Sequence, residues 1–160
     1  MPTVLALHLG GSAVHAAVVI GGRIDVLALD DQCMHLPAPA PTDGPGLVRI
    51  LATAQARCLR VVDAVPDELV VVRPDGGVDD ALLGEAARRA RVPVPVVLEE
   101  LRAIAALAAH GPAGVDPILA PALGGIFWHR RGDAPTGPKP IVTREDLGVD
   151  AGRPERLPPA

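Results

Sequence analysis

Leu5-Ala6-Leu7-His8-Leu9-Gly10-Gly11-Ser12-Ala13-Val14-His15-Ala16-Ala17-Val18-Val19-Ile20-Gly21-Gly22-Arg23-Ile24-Asp25-Val26-Leu27-Ala28 holds two apolar runs around Gly10-Gly11-Ser12, with Gly21-Gly22 setting off a third. Runs of five to eight apolar residues broken by paired glycines read as strand, turn, strand, turn, strand, a three-stranded meander. Gly10-Gly11-Ser12 is read first as a tight hairpin turn. Successive backbone N–H groups in such a turn are also the material of a phosphate cradle, so residual phosphate contact is the alternative.

The bulk composition limits what can surround that meander. The 160 residues suffice for one domain with a real core, built from Val, Leu, Ile and Ala because aromatic residues make up only 1%. Net charge is −4, and the longest basic cluster is His129-Arg130-Arg131. A nucleic-acid or anionic-membrane surface needs a basic footprint, and single strands need aromatic platforms, so neither partner is expected. No apolar run reaches the ~18 residues of a membrane span and no signal peptide opens the chain, which reads as cytoplasmic. Cys33 and Cys58 suit a reducing compartment, Cys58 as a buried thiol on a helix face. The excess of Arg over the single Lys139, with abundant Ala, Val, Gly and Pro, reads as the product of a GC-rich, actinobacterial genome.

Beyond the meander, Pro37-Ala38-Pro39-Ala40-Pro41 is an extended linker, and Thr42 or Asp43 offers a helix N-cap. Leu47, Ile50, Leu51, Ala54, Cys58, Val61 and Val62 then recur at helical spacing until Pro66 ends the helix. Leu69-Val70-Val71-Val72 is a strand buried on both faces. Asp79 or Asp80 caps a second helix with Leu82, Leu83, Ala86 and Ala90 inward, and Val92 to Leu98 is extended. Glu99 and Glu100 open a third helix, with Leu101, Ile104, Ala105 and Ala108 inward and the acids at its positive end. Gly124-Gly125 reads as a helix stop or turn, and 132–160 as a Pro/Gly-rich, mostly disordered tail. The order βββαβαβα requires right-handed crossovers and a mixed α/β sheet with helices on both faces.

That order resembles the ribonuclease-H-like fold and the first half-domain of the actin, sugar kinase and heat-shock-70 chaperone superfamily. Leu7-His8-Leu9-Gly10-Gly11-Ser12 is similar to the superfamily's first phosphate loop, usually Asp-x-Gly-Thr followed by Thr or Ser. Pro66 to Pro74 resembles the following parallel strand, and Leu83 to Ala90 the helix after it. Val97-Leu98-Glu99-Glu100-Leu101-Arg102-Ala103-Ile104-Ala105-Ala106 is similar to the chaperones' Glu-Pro-x-Ala-Ala-Ala segment. Asp116-Pro117 through Ala122-Leu123-Gly124-Gly125 looks like the Asp-Pro…Ala-Leu-Gly-Ala stretch that ends a complete ATPase domain. The resemblance spans roughly residues 4 to 131 and implies a half-domain over 1–131.

The departures carry the functional expectation. The resemblance implies a loop carboxylate that organises the magnesium shell, and His8 stands in its place; imidazole is a poor ligand for that hard cation. Gly11 replaces the usual first hydroxyl, leaving Ser12. The second half of a nucleotide clamp, with its own glycine-rich loops, does not occur between Gly111 and Asp116. The expected function is therefore a non-catalytic, degenerate actin-like module without cofactor. It acts through a protein partner or a homodimer, with Phe127 and Trp128 as interface candidates. The alternative is a residual ATP-binding or weak ATPase module, completed by another chain, with magnesium, Gly10, Gly11 and Ser12 at the phosphates and Glu100 near the attacking water. A two-metal nuclease using Asp25, Asp30 and Asp31 lacks its first-strand carboxylate. His15, His35, His110 and His129 are too dispersed in sequence for a metal site.

Overall fold

The computed structural model of this chain describes residues 2–135. Strands β1 (Val4–Leu9), β2 (Ala13–Ile20) and β3 (Arg23–Leu27) form the meander, followed by the short β4 (Leu36–Pro37) and helix α1 (Gly44–Val62). Then come β5 (Glu68–Arg73), α2 (Asp80–Ala90), β6 (Pro95–Glu99), α3 (Glu100–His110) and α4 (Ala120–Arg131). The sheet order is β3-β2-β1-β5-β6, with β4 beside β2; β1, β5 and β6 run parallel and β2 antiparallel to β1. This is the mixed α/β, ribonuclease-H-like arrangement expected, enlarged by β4 and α4.

Local chemistry accounts for most elements. Gly21 and Gly22 both have positive φ, 57° and 83°, the requirement of the two-residue turn that matches strand twist. Asp43 accepts the Gly46 N–H at 2.9 Å to start α1, and Asp79 accepts from Ala81 and Leu82 to start α2. Along β1 the pleat alternates. Leu5, Leu7 and Leu9 face the α1/α2 layer, and Val4 and Ala6 face α3/α4, so helices cover both faces. Cys58 is fully buried within the first layer and Cys33 is exposed.

Two expectations about the second layer are corrected. Gly124 and Gly125 do not end a helix; they lie in the middle of α4. A Cβ on Gly124 would fall 2.5 Å from the Ala103 carbonyl carbon, and one on Gly125 would fall 2.9 Å from Val72 Cγ2. Glycine here removes side chains so that α4 can touch the α3 backbone and the sheet, and this packing outweighs its low helix propensity. The same close approach turns α3 over. Its buried face is Ala103, Ala106 and Leu107, whereas Leu101 is 79% and Ile104 38% exposed, and Ala105 and Ala108 are exposed as well. Where α4 comes nearest, at Ala103, only a small residue fits, so Leu101 and Ile104 are left outside while Leu107 is buried further along the helix.

The tail expected from 132 lies outside the described residues beyond Pro135. Its first residues fold back. The Asp133 carboxylate accepts two hydrogen bonds at 3.0 Å from Arg102 and one at 3.0 Å from the Trp128 indole.

Candidate functional site

The carboxyl ends of β1, β5 and β6 meet at one edge of the sheet, where open α/β sheets place their ligands. The Gly10-Gly11-Ser12 turn leaves β1 there. The Gly10 N–H donates to the Ala13 carbonyl at 3.0 Å, so the first amide of the turn is spent on closing it. A Cβ on Gly10 would sit 2.8 Å from that carbonyl oxygen and 3.1 Å from His8 Cε1, which explains glycine at this position. Gly11 and Ser12 are exposed, and the Ser12 carbonyl accepts from the Ala38 N–H at 3.0 Å.

The fold brings Glu100 to this turn. Its carboxylate oxygen Oε2 accepts a hydrogen bond from Nε2 of His8, across 92 residues of chain. The His8 side chain is 12% exposed and that of Glu100 30%, so the pair is half-shielded from solvent. Among the described residues, Nδ1 of His8 is buried without a hydrogen-bond partner. Glu99, one residue earlier, turns the other way and accepts from the Arg73 guanidinium at 3.1 Å. Arg73 also reaches Asp80 at 2.6 Å and the Val78 carbonyl at 2.5 Å. Burial acts against the Arg73 charge, but Glu99 and Asp80 outweigh it and raise its pKa above the ordinary value. The groove alongside, about 430 Å³, is lined by Arg73, Glu99, Asp75, Asp79 and Asp80, with acids in excess.

Sequence spacing missed a second feature. His15 pairs with His8 across the β1–β2 ladder, and its ring lies 5.4 Å from that of His35 at a 37° tilt. His15 and His35, judged dispersed in sequence, therefore share a corner with His8. The signal was present: a turn closed by Gly10 and Ala13 sets His8 opposite His15. Burial, then the neighbouring charge of His35 and His8, lowers the His15 pKa, while Asp116 pulls it upward. Among the described residues, no three His, Cys, Asp or Glu side chains are arranged to hold a metal ion.

Phe127 and Trp128 are both half-buried. Phe127 lines a groove with Leu107, Pro112, Leu123 and Ile24, and Trp128 lies under the Arg102 guanidinium, 5.6 Å from the ring centre. They sit away from the His8–Glu100 pair, on the part of α4 that closes the second layer. Among the described residues no helix is long and apolar enough to cross a membrane.

The donor set does not fit the magnesium–nucleotide group that the fold resemblance implies. A nitrogen heterocycle stands at the end of β1 where the resemblance implies an oxygen ligand, and the Glu100 carboxylate beside the turn is bonded to that heterocycle.

No protein-family model matches the sequence, and no curated protein matches it significantly. Among solved structures, the ethanolamine utilization protein EutJ from Carboxydothermus hydrogenoformans is similar, with 20% identity and a TM-score of 0.50 over 69% of this chain. This chain spans 42% of that protein's length. The polyphosphate/ATP-glucomannokinase of Arthrobacter sp. strain KM matches 73% of this chain and 51% of its own, with 17% identity and TM-score 0.46. The RuvC of T. thermophilus, solved with a Holliday junction substrate, matches 85% of this chain and 100% of its own, with 17% identity and TM-score 0.46. The sheet order and the likeness to EutJ establish the fold: it is a mixed α/β, ribonuclease-H-like fold.

Proposed function

We propose that this chain is a non-catalytic, degenerate actin-like half-domain that works as an accessory protein-interaction module. One observation carries the reading: the imidazole of His8 occupies the end of β1 and holds the Glu100 carboxylate. An acid bonded in this way does not order a hard cation or an attacking water. The surroundings support the same conclusion. The Gly10 amide is committed to its turn, and the adjoining groove, with acids in excess over Arg73, repels a polyphosphate. What remains is a rigid sheet with covered faces, presenting surface to another protein.

The test is a thermal melt of the full chain with and without millimolar ATP and magnesium, at two protein concentrations. A ligand present at 100 times its Kd stabilises the native state by about 2.7 kcal/mol, a shift of many degrees for a domain of this size. The expected result is no nucleotide shift and a melting temperature that rises with protein concentration. A nucleotide-dependent rise overturns the non-catalytic reading in favour of a residual ATP-binding module using Gly10, Gly11, Ser12 and Glu100.

A further inference from the structure

Strand β4 is held to the sheet by little. It pairs with β2 over two residues, Ala13 with Pro37 and Val14 with Leu36, and proline brings no N–H to that ladder. Just beyond it the Ala38 N–H donates to the Ser12 carbonyl at 3.0 Å, and Leu36 and Ala38 are partly buried against the first core layer. The loop that leads into β4 is fixed at its other end. Arg57 of α1 donates to the Ala28 carbonyl at 2.8 Å and pairs with Asp31 at 2.6 Å. The hydrogen bond from Arg57, and then its charge, lowers the Asp31 pKa, so this clamp persists in mild acid.

His8, His15 and His35 form a row across the same edge. The β2–β4 register, carried one residue further, puts His35 beside His15, and the β1–β2 register puts His8 on its other side. All three lie on the α3/α4 face, because Val14 and Leu36, one position away, pack into the opposite layer. His15 is 8% exposed, whereas His35, its ring 5.4 Å away, is exposed. His8 has the Glu100 carboxylate bonded to it, but His15 has an imidazole on either side. The charge of Asp116, on the connection between α3 and α4, favours a proton on His15, and that carboxylate already accepts the Ile118 N–H at 3.0 Å. A proton on His15 is opposed first by the lack of water and then by the neighbouring rings. Outward movement of residues 34–38 admits water and takes one of those rings away.

We infer that His15 and His35 form a pH-operated latch on β4: protonation in mild acid releases residues 34–38 from the edge of β2, and the loop pivots on its Arg57 clamp. Opening breaks the Val14–Leu36 pairing and the Ala38–Ser12 hydrogen bond, and it uncovers the backbone edge of β2 next to the Gly10-Gly11-Ser12 turn. In the closed form the neutral His15 ring is favoured; in the open form the ring is hydrated and titrates near the ordinary value of about 6.5. Opening is therefore indifferent to pH above that value and grows as pH falls below it, towards the lowered value of the closed form. One proton taken up on opening changes the equilibrium by at most about tenfold per pH unit.

The experiment is amide hydrogen exchange of the full chain, followed by NMR at pH 7.5 and 5.5, with rates corrected for the intrinsic effect of pH on exchange. Protection of the Ala38 amide is expected to fall about threefold to tenfold further than that of Val71 in the interior strand β5. His15→Gln should abolish this difference. His35→Ala changes an exposed residue and should cut the difference to about half or less, because His15 then meets water without any opening. Circular dichroism melts at pH 7.5 verify that both variants are folded, and His35→Ala alone decides the matter where the buried substitution unfolds the chain. Equal losses of protection at Ala38 and Val71 mean acid unfolding of the whole domain and overturn the latch. A loss at Ala38 that persists in His15→Gln, or that is unaltered in His35→Ala, overturns it as well.

Discussion

Replacing Gly124 by alanine is expected to destabilise this protein, although the same change elsewhere in its helices stabilises it. Alanine exceeds glycine in helix propensity by about 1 kcal/mol, so in open space the substitution is a gain. At Gly124 the new methyl would lie 2.5 Å from the Ala103 carbonyl carbon and closer still to its oxygen. Those are backbone atoms of α3, which no rotamer change removes. The helices must separate, and the contacts of Ala106, Leu107, Ala122 and Ile126 loosen with them. Overpacking of this kind costs roughly 1–3 kcal/mol, and a backbone obstacle puts it at the upper end. Net of propensity, the expected loss is about 2 kcal/mol. At roughly 4 °C per kcal/mol for a domain of this size, the midpoint falls by about 8 °C. Gly84 on α2 supplies the control: a Cβ there meets nothing within 4 Å, so Gly84→Ala should raise the midpoint by about 4 °C. Differential scanning calorimetry of the two variants beside the wild type reads both signs. A Gly124→Ala protein that melts at or above the wild type would refute the account of the α3–α4 contact.

Three further outcomes follow from the site and the core. Because the folded-state pKa of His15 is depressed, folding favours its neutral form; that stability is intact above about pH 6.5 and is lost as pH falls towards the lowered value. Urea melts between pH 7.5 and 5 should show this decline, and His15→Gln should flatten it; an unchanged slope in the variant would remove His15 as the source. Burial pushes the Cys58 thiol up while Cys33 is exposed, so an aromatic disulfide reagent should titrate one thiol in the native protein and two in guanidinium; two fast thiols in the native protein would contradict the packing of α1. His8→Asp sets a carboxylate against Glu100 and should cost more than 1 kcal/mol. Millimolar magnesium should raise the melting point of that variant and not of the wild type; equal magnesium responses would show that His8 is not what excludes the cation.

What the sequence disclosed depends on how local each signal is. The meander and the caps were legible because a turn with two positive-φ glycines, or an Asp whose carboxylate takes an amide two or three residues on, is decided within a few residues. The burial of Cys58 followed from a long helix with one apolar stripe. Helix α4 was not legible, because its two glycines lower propensity and its merit lies in contacts with Ala103 and Val72, which only the assembled layer supplies. The inward face of α3 was misread for a related reason. Periodicity locates apolar stripes, and α3 has two; the choice between them was made by how near α4 comes. Glu100 was singled out from the resemblance, but its bond to His8 spans 92 residues, and no local pattern carries that.

The His8–Glu100 bond joins the first turn of α3 to strand β1. Glu100 is the first residue of α3, and Leu101, 79% exposed, is next to it. An acid left unpaired at this half-shielded position would be drawn towards water or a cation, and the first turn of α3 would follow it. Bonded to His8, it ties that turn to the end of β1 in the middle of the sheet. Glu99, tied to Arg73, fixes the preceding residue to β5. The N-terminal end of α3 is thereby held by two adjacent strands, β1 and β5. Histidine at the end of β1 puts a nitrogen where an oxygen ligand for a cation would stand, and in the same step holds the first turn of α3 to the sheet.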